Sequence, residues 1–165
     1  MSSDGTGREN LTKLSSVAFP TFELAVNYRS MALAPDGRMV AVCSAPDWNR
    51  REYHGKIGVW RTGDWSAVIT PQLDVRSGVN AIAFSPDGHY LAGAGYDESI
   101  YIWDVSNWTL ARRFFPMSGP IYSLSFSPDG ADVAAADQLS HITIWTFHVL
   151  TAAASPSHDY VRSVR

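Results

Sequence analysis

The sequence predicts an all-β protein made of three successive four-stranded antiparallel units, and three observations carry that reading. A Pro-Asp-Gly turn recurs at Pro35-Asp36-Gly37, Pro86-Asp87-Gly88 and Pro128-Asp129-Gly130, each time after alternating apolar residues: SMALAPDG, NAIAFSPDG and YSLSFSPDG. Downstream of every turn an apolar run ends in tryptophan, as KIGVW at Trp60, SIYIWD at Trp103 and HITIW at Trp145. The tryptophans are 43 and 42 residues apart. Four antiparallel strands in a period of that length is the arithmetic of a β-propeller blade.

Taken in order, residues 1–16 form a flexible polar tail, and the three-blade segment spans 17–154. Residues 21–26 alternate as one short leading strand. The first blade then runs over 28–72, the second over 79–115 and the third over 121–153, before a polar C-terminal tail at 155–165. The second blade shows the unit most clearly. Strand 81–84 enters the turn at Ser85-Pro86-Asp87-Gly88, where Pro sets φ, Asp bonds nearby backbone and Gly tolerates positive φ. Strand 90–94 returns, residues 96–98 turn, 99–104 form the third strand with apolar alternation, and 108–115 the fourth. Residues 148–153 are the matching outer strand of the third blade.

With FSPDG and IYIWD in hand, the chain resembles the WD-repeat (tryptophan-aspartate repeat) β-propeller family over residues 28 to about 153. Only the middle repeat keeps the full dipeptide, Trp103-Asp104; the others read Trp60-Arg61 and Trp145-Thr146. The resemblance implies a buried network of His, Ser/Thr, Asp and Trp inside each blade. Its Gly-His pair falls here at Asp74-Val75 and Pro116-Met117, and its Ser/Thr at Gly95 and Ala135. Asp97 and Asp137 do match the turn aspartate. A half-satisfied buried network is costly, so these blades are expected to rest on apolar packing, with at most an Asp-to-Trp remnant and with the two aspartates near water or turn amides. Trp60, Trp103 and Trp145 are the structural anchors, each burying on the order of 200 Å².

The first blade carries an insertion. From the turn proline to the tryptophan the count is 25 in this repeat and 17 in the other two, so eight extra residues sit between its second and third strands, within 44–55. Trp48, Arg50, Arg51, Tyr53 and His54 in this loop are the residue types of binding hot spots, on the rim that the resemblance implies is used for partners. An Ω-like loop folded on its own aromatics is the other reading. Trp65 and Trp108, five residues after Trp60 and Trp103, either seal against a neighbouring blade or form an aromatic patch.

Three blades cannot close a ring, since propellers have four to eight. The end blades would then expose apolar faces. Self-assembly into a dimer or trimer closes the ring; alternatively the chain is a piece of a longer propeller. Residues 21–26, as a strand that finishes a preceding blade, favour the piece; an initial Met with a polar tail reads as a natural start.

Composition excludes other classes. The chain has 165 residues, 45% hydrophobic, with a net charge of −3. Only pairs of basic residues occur, Arg50-Arg51 and Arg112-Arg113, which argues against nucleic acid. No apolar stretch reads as a signal or a membrane span, so a cytoplasmic protein is expected. The lone Cys43 forms no intrachain disulfide and fits a reducing compartment. No catalytic motif occurs, the five histidines have no metal-ligand spacing, and no cofactor or metal is expected. Asp36, Asp87 and Asp129 repeat at one turn position and read as structural. The expected function is therefore a non-enzymatic interaction or scaffold module for a protein partner. A regulatory or sensory domain of a larger protein, and a propeller enzyme with its site at the channel mouth, are the alternatives. Met31, Leu33, Asn80, Ile82, Tyr122 and Leu124 on the inner strands are mostly apolar, which argues against the enzyme.

Overall fold

The structure, a computed structural model, describes residues 28–44, 56–68, 78–115, 117–146 and 161–164. Among these, three four-stranded antiparallel sheets follow one another along the chain. The first is β1 (Tyr28–Leu33), β2 (Met39–Ser44), β3 (Ile57–Arg61) and β4 (Ala67–Val68). The second is β5 (Val79–Phe84), β6 (Tyr90–Gly95), β7 (Ile100–Asp104) and β8 (Thr109–Phe114). The third is β9 (Ile121–Phe126), β10 (Asp132–Asp137), β11 (Ile142–Thr146) and β12 (Val161–Val164). Each sheet is a simple meander in which neighbours in sequence are neighbours in space, so each is one propeller blade.

The third blade departs from expectation at its outer strand. Val161–Val164 pairs with β11, Trp145 opposite Val161 and Ile142 opposite Val164, inside the segment expected to be a polar tail. The expected strand at 148–153 and the leading strand at 21–26 lie outside the described residues. The physical reason is that any short extended segment can supply the backbone groups an open β11 edge demands, and VRSV has the β-branched content for it.

The Pro-Asp-Gly turns have one geometry three times over. Gly37, Gly88 and Gly130 take φ of 70°, 73° and 73°. Their amides donate to Ala34, Ser85 and Ser127 carbonyls at 2.8–2.9 Å, a type I turn followed by a left-handed residue. The aspartate carboxylate accepts the amide two residues on: Arg38 to Asp36, His89 to Asp87, Ala131 to Asp129. These carboxylates are therefore turn caps, as their repetition implies.

Register aligns side chains into rows across each blade. Leu33, Val40 and Trp60 stand opposite one another in the first, Phe84, Leu91 and Trp103 in the second, Phe126, Val133 and Trp145 in the third. The opposite face is small and aliphatic: Ala41, Cys43, Ile57 and Val59, then Ala92, Ala94, Ile100 and Ile102. The tryptophan face of each blade packs on the aliphatic face of the one before. One core cluster joins Ala41, Cys43, Ile57 and Val59 to Ile82, Phe84, Leu91 and Trp103. A second joins Ala92, Ala94, Ile100, Ile102 and Phe114 to Val133 and Trp145. Among the described residues, the middle blade packs against another blade on both of its faces. Met31, Leu33, Ile82 and Leu124, on the inner strands, belong to these blade-to-blade faces.

Each indole needs a recess. A Cβ on Gly58 would lie 2.1 Å from the Trp60 ring, and one on Gly93 would lie 2.9 Å from the Trp103 ring. The first blade makes room within β3 itself; the second places Tyr101 there, stacked on Trp103 at 5.7 Å and 7°, and makes room on β6 instead. Trp108 joins the first core cluster, so it seals the junction between blades, while Trp65 is half-buried. Cys43 is a buried small hydrophobe, its thiol pushed up to about 12 by burial.

Replacing Trp103 by Ala opens the recess over Gly93 and removes a buried indole from the first junction, so it should cost about 3–5 kcal/mol. Chemical denaturation measures this. The same truncation at exposed Leu110 should cost little, and equal losses at both sites would contradict the assigned core.

Candidate functional site

The turns between second and third strands gather on one rim together with the links between blades. Tyr96 donates its amide to Gly78 O at 3.3 Å, Met117 to Glu98 O at 3.0 Å, and Gln138 to Pro120 O at 2.9 Å. The opposite rim holds the Pro-Asp-Gly turns and the β3–β4 and β7–β8 turns, tied by Thr62 N to Arg38 O at 2.9 Å and Val105 N to His89 O at 2.8 Å. The inserted loop belongs to the first rim. Its stem is closed by Ser44 N donating to Lys56 O at 2.9 Å and Lys56 N donating to Ser44 Oγ at 3.3 Å. Trp48, Arg50, Arg51, Tyr53 and His54 lie outside the described residues.

Beside that stem the second blade presents a polar and aromatic cluster. Ile57, next to Lys56, packs in the same core cluster as Tyr101 and Trp103. Arg113 stands opposite Tyr101, with its guanidinium 4.7 Å from the Tyr101 ring centroid and 4.1 Å from that of Phe115. Its Nη2 lies 3.5 Å from Asp97 Oδ2 and donates to Ser99 Oγ at 3.3 Å. The Tyr101 hydroxyl also donates to Asp97 Oδ2. Burial first, and the adjoining Asp97 carboxylate second, push the Tyr101 phenol up to about 12. Asp97 is thus held by Ser99, Tyr101 and Arg113.

The third blade places its aspartate differently from expectation: Asp137 ends β10 opposite Ile121, the place Gly95 holds at the end of β6 opposite Val79, and not the turn position of Asp97. Asp137, its side chain fully enclosed, accepts the Leu139 and His141 amides at 2.9 Å each and pairs with His141 Nδ1 at 3.1 Å. Burial would raise this carboxyl, but the bonds from His141 and Leu139 outweigh it and hold the group below the usual range. Neither aspartate bonds an indole. The expected Asp-to-Trp remnant gives way to turn amides and to on-blade donors, while the Trp60 and Trp103 rings lie over Gly58 and Gly93. His141 is half-buried and paired with Asp137. Leu139, Phe115 and Tyr122 are exposed on or near this rim, and Tyr122 meets Tyr96 edge-on at 6.4 Å.

Sequence reasoning passed over Tyr101, Arg113 and Phe115. Their signal is present in the strand alternation, since placing β8 opposite β7 brings an arginine across from a tyrosine. A β-bulge between Ile102 and Trp103 shifts that register, and so hides it from simple counting.

Residues 70–104 and 109–146 match the family described as WD domain, G-beta repeat, covering the second blade and the first three strands of the third. Among curated proteins the chain is similar to WD repeat and SOCS box-containing protein 1 of Danio rerio, 29% identical over 82 residues. That alignment covers 50% of this chain and 18% of the relative.

The depressed carboxyl of Asp137 has a pH consequence. A folded-state value below the unfolded one means stability that is complete above the ordinary carboxyl range of about 4 and is lost as pH falls through the folded value. Thermal melts of wild type and Asp137→Asn should therefore differ most near neutrality and converge below pH of about 4. A pH-independent gap would show that the carboxylate charge plays no part.

Proposed function

We propose that this chain, which carries WD repeats in consecutive blades, is a non-enzymatic protein-interaction or scaffold module that takes its partner on the rim of the inserted loop. The observation that carries this reading is the stem at Ser44 and Lys56 of an eight-residue insertion, on the rim that also presents exposed Phe115 and the Arg113 guanidinium. Trp48, Arg50, Arg51, Tyr53 and His54 would supply anchors and guanidinium forks, and Arg113 with Phe115 a preset surface for them or for the partner. The turn aspartates of the opposite rim are engaged with their own amides, which supports a structural role for them. The module works in the cytoplasm on this reading, supported by a single buried thiol. No helix among the described residues is long and apolar enough to cross a membrane.

The ring is completed by self-association on the same reading. A second reading, an accessory or sensory part of a larger protein, is supported by the relative, whose name joins WD repeats to a SOCS box and of which this chain spans 18%.

Affinity capture with the full chain, read by quantitative mass spectrometry, tests the rim. Shortening 47–54 to the length of the other turns, or replacing Arg113 and Phe115 by Ala, should each deplete the captured set, whereas His89→Ala on the opposite rim should leave it intact. A set unchanged by both rim variants would move the site elsewhere.

A further inference from the structure

Arg113 is 37% exposed along its side chain, yet its guanidinium is fixed from three directions. It lies 4.7 Å from the Tyr101 ring centroid and 4.1 Å from that of Phe115. Its Nη2 donates to Ser99 Oγ at 3.3 Å and stands 3.5 Å from Asp97 Oδ2. Asp97 in turn accepts from the Tyr101 hydroxyl and from the Ser99 amide, so the groups that hold the arginine also hold one another. Ordering a long side chain is a large part of what association costs. Here that ordering is done on folding.

Only part of the planar group is used by the protein. A guanidinium carries five N–H donors, and among the described residues neither Nη1 nor Nε donates to any acceptor. Beside them Phe115 is 58% exposed. An acceptor arriving on this rim therefore meets oriented donors of a charged group with an apolar ring alongside. The surrounding charge decides which acceptor fits. A basic side chain would meet the guanidinium head on. A phosphate, close to a dianion at neutral pH, would have to approach Asp97 and its neighbour Glu98, whereas a carboxylate carries half that charge. Lys56, at the stem of the insertion, adds a second cation to the rim.

We infer that Arg113 is the docking point for an acidic side chain, Asp or Glu, of a protein partner, with an apolar neighbour of that residue resting on Phe115. Asp97, Ser99 and Tyr101 are positioning residues that hold the guanidinium ready. The inference rests on the rim reading of the proposed function and names the chemistry of the partner there.

A phage-displayed library of random dodecapeptides, selected in parallel on the full chain and on Arg113→Gln, tests it. The wild type should enrich peptides with Asp or Glu beside an apolar residue, and Arg113→Gln should lose that enrichment while keeping its near-ultraviolet circular dichroism. A synthetic peptide from the wild-type set then closes a double-mutant cycle by fluorescence anisotropy. Changing its acidic residue to the amide should weaken binding about tenfold or more on the wild type and leave binding to Arg113→Gln unchanged. The change in the peptide is read on the unaltered protein, so it decides the matter even if Arg113→Gln disturbs folding. Phosphoserine in place of the acid should bind more weakly than the acid. Equal losses on both proteins, tighter binding of the phosphoserine peptide, or a selected set without acidic residues would each overturn the inference. Peptides that depend on the 47–54 insertion but not on Arg113 would overturn it while the rim reading stands, and a selection that enriches nothing would overturn both.

Discussion

The seating of a tryptophan-bearing sheet face on the small aliphatic face of the preceding blade is the constraint from which the rest of the structure follows. A β-sheet hides one face easily and two only between neighbours. In the middle blade both faces are covered, and its strands read accordingly as near-continuous burial: all of Ile100, Tyr101, Ile102 and Trp103 are inside. The match is one of size. Large side chains such as Phe84 and Trp103 on one surface meet Ala41, Cys43 and Val59 on the other, and Trp145 meets Ala92 and Ala94. Bulk against small side chains keeps the sheets close-packed without voids.

Once apolar seating holds the blades, a buried polar network is no longer required within them. At Gly95, where the family pattern has a hydroxyl side chain, a Cβ would lie 1.9 Å from the Gly78 carbonyl oxygen; the link between blades has moved into the space that a side chain would fill. Met117, in the place of the histidine, is buried in the second core cluster and uses only its amide, which donates to Glu98. The aspartates that survive have changed partners rather than become idle. Asp97 serves a tyrosine and an arginine, and Asp137 serves two amides and an imidazole, so neither carboxylate is left unsatisfied as a partial network would leave it.

The blades were legible because their punctuation is local. Pro-Asp-Gly fixes a turn from three residues, and Trp60, Trp103 and Trp145 fix the third strand by simple distance from it. The Asp97–Tyr101–Arg113–Phe115 cluster was not, because it depends on which residue of β8 faces which residue of β7, and a bulge at Trp103 decides that. The outer strand at Val161–Val164 was illegible for a related reason: an edge accepts any extended segment within reach, so pairing there is set by tertiary proximity and not by pattern. Gly95 carried no turn cue, and its need for a missing side chain arises from a carbonyl seventeen residues earlier.

The two rims divide the labour that these constraints impose. On the Pro-Asp-Gly rim, successive turns touch, proline over glycine, and every aspartate caps its own turn, so changing one turn disturbs the stacking of the next blade. On the other rim the turns differ in every blade: an insertion between Ser44 and Lys56, then Tyr96-Asp97-Glu98-Ser99, then Gln138-Leu139-Ser140-His141. The turns of the second and third blades are anchored to the links between blades through single backbone bonds, which accept any side chain. Variation there leaves the blade-to-blade seating untouched. A repeat array that holds one rim constant for packing has only the other on which to write recognition, and the first blade has written the most.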